Sequence, residues 1–134
     1  MEVANKSFTT VTVVGLGYIG LLTATLLAKQ GLKVRGVDIN KTIVDTINKG
    51  EIHIVEPGLA DQVKEVVSNG NLFATMTPAE SEVYIIAVPT PFKENHEPDI
   101  SYVETAAKNI APFLRKGNLV ILESTSPVGT TNHI

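Results

Sequence analysis

No cysteine occurs among the 134 residues, which excludes disulfide staples, thiolate zinc sites and a thiol nucleophile within this chain. Charge is scarce as well. Charged side chains make up 19% and the balance is −3, too mild for a surface dedicated to nucleic acid or to a membrane. Long apolar runs are missing too: the longest, residues 13–22, is ten residues with three glycines, against roughly 18 needed to cross a bilayer. The opening MEVANKSFTT has neither the basic end nor the apolar stretch of a signal peptide, so a cytoplasmic chain is expected. His53, His96 and His133 are far apart, and no pair of them has metal-ligand spacing with carboxylates on one face, so no metal site is expected. Repeats, low-complexity tracts and linkers are likewise absent, and residues 1–134 read as one domain.

What is present is enough grease for one core, 43% apolar side chains, arranged in a regular alternation. Five runs rich in Val, Ile and Leu, at residues 11–15, 32–38, 71–75, 83–88 and 118–122, alternate with amphipathic stretches. That is the requirement of a parallel sheet with crossover helices. The runs at 83–88 and 119–122 are apolar without alternation, as expected of strands covered on both faces. Ile19, Leu22, Leu26 and Leu27 place a first helix at about 18–30, ending at Gly31. Ile43, Val44 and Ile47 line a second that stops at Gly50, and Leu59, Val63, Val66 and Val67 a third that stops near Gly70. Ser101 and Glu104 have capping-box spacing before a fourth helix marked by Val103, Ala107, Ile110 and Leu114, with Pro112 predicting a kink or an early end. The fold class is therefore α/β: a Rossmann-type doubly wound parallel sheet, strand order 3-2-1-4-5, with right-handed crossovers and helices on both faces.

The first strand runs into Gly15-Leu16-Gly17-Tyr18-Ile19-Gly20, the G-x-G-x-x-G spacing, which opens the first helix. Gly15 permits the tight turn, Gly17 lets backbone approach a pyrophosphate, and Gly20 allows close packing of helix on strand. The N–H groups of Tyr18 and Ile19 then face the phosphates with the helix dipole behind them, while their side chains pack locally. Eighteen residues past Gly20 comes Asp38, where such folds place a carboxylate for the adenosine ribose hydroxyls. A cap for the helix starting near Asn40 is the other reading of Asp38. A carboxylate there repels a 2′-phosphate and no arginine follows immediately, so NAD is favoured over NADP, with Lys41 the nearest cation.

Ligands of open α/β sheets bind outside the carboxyl ends of the strands, near the point where strand order reverses. Two later segments end there. In Ala87-Val88-Pro89-Thr90-Pro91 two prolines stiffen the loop and Thr90 offers a hydroxyl and an N–H, or the segment is simply a rigid turn. In the stretch from Glu123 to Thr131, hydroxyls lead into Pro127 at a first helical position, and Ser126 reads as an ordinary N-cap. Glu56-Pro57-Gly58 reads first as a turn opening the third helix, a ligand role being the minority option.

Five segments together, VVGLGYIG, GVDIN, INKGEIHIVEPGL, IAVPTPF with HEPD, and ILESTSPVGTT, closely resemble the amino-terminal domain of the UDP-glucose/UDP-mannose dehydrogenase family along nearly the whole chain. The last three are far more specific than a glycine loop. The resemblance implies an NAD-dependent oxidation of a sugar C6 alcohol to a carboxylate, with two NAD and a thioester on a catalytic cysteine, in a protein that is a homodimer or higher homo-oligomer. By matching positions it implies Tyr18 and Ile19 at the pyrophosphate, Asp38 at the ribose, Thr90 and Thr131 lining the NAD site, and Thr125 near the nicotinamide and the catalytic water. The family's cysteine, lysine, asparagine, further glutamate, central helix and UDP-sugar domain are all expected beyond residue 134. On that expectation the chain is the cofactor half of a longer enzyme. The alternatives that stay open are a dinucleotide-binding module without catalysis, the Rossmann domain of another UDP-sugar dehydrogenase, and a different Rossmann oxidoreductase such as a 3-hydroxyacyl or phosphogluconate dehydrogenase, which leaves ILESTSPVGTT unexplained.

Overall fold

The computed structural model describes residues 9–88, 94–95 and 99–123. Its elements follow the chain as β1 (Thr10–Val14), α1 (Tyr18–Lys29), β2 (Lys33–Val37), α2 (Lys41–Asn48), α3 (Leu59–Ser68), β3 (Leu72–Thr75), β4 (Val83–Ile86), α4 (Ser101–Ile110), a 3₁₀ turn (Ala111–Phe113) and β5 (Leu119–Leu122). All five strands are parallel and lie in the order β3-β2-β1-β4-β5. The order reverses at β1, whose Val13 lies between Gly36 of β2 and Ile85 of β4. The carboxyl ends of β1, β2 and β4 therefore open on one edge of the sheet.

Strand alternation divides the core in two. Val11, Val13, Val34, Leu72, Ala74, Val83 and Ile85 face α1, α2 and α3, whose Leu21, Ala24, Ile47, Val63 and Val66 are buried against them. Val14, Val37, Tyr84 and Ile86 point the other way, under Ala106 and Ile110 of α4. Polar groups on that second face are satisfied: the Tyr84 hydroxyl receives the Ser81 N–H (2.9 Å) and donates to the Phe113 carbonyl (3.3 Å). Glu82, just before β4, accepts the backbone N–H groups of Thr9 (2.6 Å) and Thr10 (3.1 Å), tying the starts of β4 and β1 together. These bonds hold its carboxyl below the usual 4.5.

Four sequence expectations need correction. The buried stripe of α1 is Gly20, Leu21, Ala24, Thr25 and Ala28, while Leu26 is exposed. A helix this apolar has no unique greasy face, and the small residues win because α1 sits close on the sheet. In α4 Ile110 is buried and Val103 half-buried as expected, but the turn between them points Ala106 inward and leaves Ala107 exposed. Ser101 is not the cap of α4; Asp99 accepts both its N–H (3.0 Å) and its hydroxyl (2.6 Å). Finally, the β5 side chains are 40% to 45% exposed rather than covered, because both groups of buried core residues stop at β4 and none of their side chains packs over β5. Pro112 does end the helix early: α4 stops at Ile110 and gives way to the 3₁₀ turn. Among the described residues no helix is long and apolar enough to cross a membrane.

Candidate functional site

A cleft of about 730 Å³ opens along the carboxyl edge of the sheet, a size suited to a small-molecule ligand. Its floor is the β1–α1 turn, with Gly15, Gly17, Tyr18 and Ile19. One wall is the end of β2, with Asp38, Ile39 and Asn40; the other is Ala87 and Val88 after β4. Met76 and Pro78 close one end, and Tyr102 and Thr105 on α4 reach in from the far face.

The three glycines do different work. Gly15 has φ +102°, and a Cβ there would lie 2.5 Å from the Ala87 carbonyl oxygen. A Cβ on Gly20 would sit 1.7 Å from the Gly15 carbonyl oxygen. Gly20 is buried beneath the cleft and does not line it; its role is to let α1 start tight against the turn. Gly17 is the reverse case, for a Cβ there would meet nothing within 4 Å although Gly17 lines the cleft. The backbone is bare at that point and open to whatever enters.

Gly17 is the N-cap of α1 and offers no side-chain cap, nor does an acidic residue occupy the first turn. The first intrahelical bond is Leu21 N–H to the Gly17 carbonyl at 2.9 Å, so the N–H groups of Tyr18, Ile19 and Gly20 have no acceptor inside the helix. The positive end of the helix dipole thus meets the cleft uncompensated.

Asp38 is more engaged than its sequence position tells. Its Oδ2 accepts the Leu16 N–H and its Oδ1 the Asn40 N–H, each at 2.9 Å, so the carboxylate fastens the glycine turn to the end of β2. The α2 cap itself is Asn40, whose Oδ1 accepts from Thr42 N–H (2.9 Å) and Ile43 N–H (3.3 Å). Asp38 therefore supports the capping turn without being the cap, and still lines the cleft with lone pairs to spare. Lys41 is turned to its own helix, 2.8 Å from Asp45, which holds its ammonium above the ordinary 10.5; it does not line the cleft. Beside the cleft, the Tyr18 hydroxyl donates to Glu56 Oε2 at 2.8 Å, and that bond, with the charge behind it, raises the phenol above its ordinary 10.

Of the residues singled out by sequence, the fold brings Gly15, Gly17, Tyr18, Ile19 and Asp38 together around one cleft. Thr90, Thr125 and Thr131 lie outside the described residues, although Val88 and Glu123 carry the chain to within two positions of Thr90 and Thr125. Sequence reasoning missed Ile39, Met76 and Tyr102, large side chains that the fold leaves exposed along the cleft; in the sequence Ile39 was marked only by following Asp38, and the other two by no motif. No group of three His, Cys, Asp or Glu side chains placed to hold a metal occurs among the described residues.

Residues 9–134 match the model of the UDP-glucose/GDP-mannose dehydrogenase family, NAD binding domain. The chain belongs to this family. Its second sugar nucleotide is GDP-mannose, not the UDP-mannose of the sequence reading. Among family relatives, the UDP-N-acetyl-D-mannosamine dehydrogenase of Salmonella typhi is 63% identical over 128 residues, covering 96% of this chain and 30% of the relative. The NDP-N-acetyl-D-galactosaminuronic acid dehydrogenase of Ralstonia nicotianae is 58% identical over 127 residues, 95% of this chain and 30% of the relative. The solved UDP-N-acetyl-mannosamine dehydrogenase Cap5O from Staphylococcus aureus superposes with a TM-score of 0.85 at 49% identity, covering 92% of this chain and 30% of that one. The chain thus spans about 30% of the length of these relatives. NAD is the cofactor of the family domain, and the sheet order and two-sided helical cover are those of a Rossmann-type dehydrogenase.

Proposed function

We propose that this chain is the cofactor-binding part of an NAD-dependent UDP-N-acetyl-D-mannosamine 6-dehydrogenase, which oxidises the C6 alcohol to a carboxylate using two NAD in making a precursor of surface polysaccharide. The observation that carries the reading is the bare backbone at Gly17 beside the uncapped N–H groups of Tyr18 and Ile19, in the same cleft as Asp38. A pyrophosphate needs the first and a ribose diol the second. Bound NAD supplies the hydride acceptor. In this reading Tyr18 and Ile19 donate backbone N–H groups to the pyrophosphate, and Gly17 leaves it room. Asp38 accepts from the ribose hydroxyls and repels a 2′-phosphate. Thr90 and Thr131 line the cofactor, and Thr125 serves the nicotinamide and the catalytic water. The whole enzyme works in the cytoplasm as a homodimer or higher homo-oligomer on a UDP-sugar.

The choice of sugar rests on the relatives at 63% identity; the one named for N-acetylgalactosaminuronic acid at 58% makes a neighbouring nucleotide sugar the second reading. The family's thioester step requires a thiol, and this chain has none. Its own competence is therefore to bind and orient NAD. Calorimetric titration with NAD and NADP tests the first part, and equal affinities would sink the ribose assignment. Absorbance of NADH at high protein concentration with UDP-N-acetylmannosamine, UDP-N-acetylglucosamine and UDP-glucose tests the second. No production is expected, and sustained substrate-dependent turnover by the pure 134-residue chain would refute the division of roles.

A further inference from the structure

Leaving the first turn of α1 uncapped frees its N–H groups for an anion, but a helix start without a cap frays. Asp38 holds the backbone just before this turn at Leu16; among the bonds of the described side chains, the one tether from elsewhere in the fold to a residue of the helical turn itself is Tyr18 Oη to Glu56 Oε2, 2.8 Å, across 38 positions of sequence. Glu56 is presented firmly. It stands in the connection from α2 to α3, where Ile52 and Ile54 pack against the core. Pro57 and the left-handed Gly58 (φ +79°) follow it, and the Leu59 N–H returns to the Glu56 carbonyl at 3.1 Å. Tyr18 lines the cleft and Glu56 does not.

We infer that Tyr18 and Glu56 are a positioning pair for the cofactor: the phenol–carboxylate bond holds the first turn of α1 in place while leaving every N–H of that turn free for the pyrophosphate. The inference rests on the NAD reading given above. A capping side chain would steady the same turn by occupying the donors the ligand needs; a tether through the Tyr18 side chain does not. It also holds the Glu56 charge outside the cleft, where it opposes an incoming phosphate least.

The test is calorimetric titration of NAD into the chain and into Tyr18→Phe, Glu56→Gln, Glu56→Ala and Tyr18→Phe/Glu56→Ala, with melting temperatures alongside. Glutamine keeps an oxygen that accepts the same bond, so Glu56→Gln should bind NAD at least as well as the parent. Glu56→Ala should bind about threefold more weakly than Glu56→Gln, the scale of one exposed hydrogen bond to a polar group. In the Glu56→Ala background the Tyr18→Phe change should cost nothing further, since the two residues act as one unit. Equal affinities for Glu56→Gln and Glu56→Ala overturn the pairing. So does a further loss on removing the Tyr18 hydroxyl once Glu56 is gone, which would make that hydroxyl a direct cofactor contact. A parent chain that binds no NAD at any accessible concentration overturns the cofactor reading itself, and is told apart from failure of the pair by the parent titration alone.

Discussion

Replacing Asp38 with alanine removes two backbone anchors at once, and the structure sets the size of the effect. Oδ2 holds the Leu16 N–H and Oδ1 the Asn40 N–H, both at 2.9 Å. Hydrogen bonds to a charged group contribute about 1.5–3 kcal/mol when sheltered. The Leu16 bond is partly buried and counts near the lower end of that range; the Asn40 bond is exposed and adds roughly 0.5–1 kcal/mol. The sum is about 2–3 kcal/mol, or a fall in Tm of roughly 8–12 °C for a domain of this size. Asparagine keeps one acceptor and can serve one of the two N–H groups, so Asp38→Asn should fall by about half as much. Thermal melts of the three proteins without cofactor measure this directly. Titration with NAD and NADP then measures what the carboxylate does for the ligand, and the preference for NAD should shrink in both variants. An alanine variant melting within about 1 °C of the parent would refute the view that Asp38 fastens the glycine turn. Asparagine and alanine variants of equal stability would refute the division between two bonds.

Gly17→Ala and Gly20→Ala should separate ligand binding from folding. The Gly17 Cβ meets no atom within 4 Å and should leave Tm nearly unchanged while weakening NAD by tenfold or more (about 1.4 kcal/mol), whereas the Gly20 Cβ, 1.7 Å from a backbone oxygen, should prevent the native fold, as circular dichroism would report. Glu82, held below 4.5 by the Thr9 and Thr10 groups, contributes stability that is fully present above its ordinary value and is lost as pH falls through the lowered one. The Tm gap between the parent and Glu82→Gln should therefore be open at pH 6 and narrow as the pH is taken down into the acid range, and a gap independent of pH would contradict the assignment. Both ring nitrogens of His53 are buried without a hydrogen-bond partner among the described residues, so His53→Leu should hold or raise stability by about 1 kcal/mol in urea unfolding, and a clear loss would reveal an unrecognised partner.

The sheet was legible because its punctuation is local. Gly31, Gly50 and Gly70 all have positive φ (97°, 80° and 82°) just past helix ends, where left-handed backbone is needed, so the stops expected from sequence are physical stops. The glycine turn and Asp38 were legible for the same reason, since spacing along one strand–turn–helix unit fixes them in space. What stayed hidden depends on partners far along the chain. Nothing in the spacing foretells that Asp38 bonds to Leu16, or that Tyr18 reaches Glu56. The faces of α1 and α4 were misjudged where a helix is apolar on several sides or where its neighbours select small residues, because burial is decided by the surface it meets. The Ser101–Glu104 spacing was a fair sign of a helix start, yet Asp99 two residues earlier made the bonds.

The place of β1 in the sheet also bears on how the chain comes together as it leaves a ribosome. β1, β2 and β3 emerge in succession and can pair into half a sheet, leaving the other rim of β1 without partners until β4 is out. Ile86 comes eleven positions after Thr75, about a second of synthesis at ~10 residues per second. During that interval the nascent chain shows an open strand edge with Val11 and Val13 on it, the kind of rim that recruits other chains. The short hydroxyl- and carboxylate-bearing stretch at Ser81 and Glu82 arrives immediately before β4, and Glu82 bonds to Thr9 and Thr10 at the very start of that rim. Closure can thus begin at the edge of β1 as soon as the first residues of β4 clear the exit, with the strand zipping toward the cleft behind it.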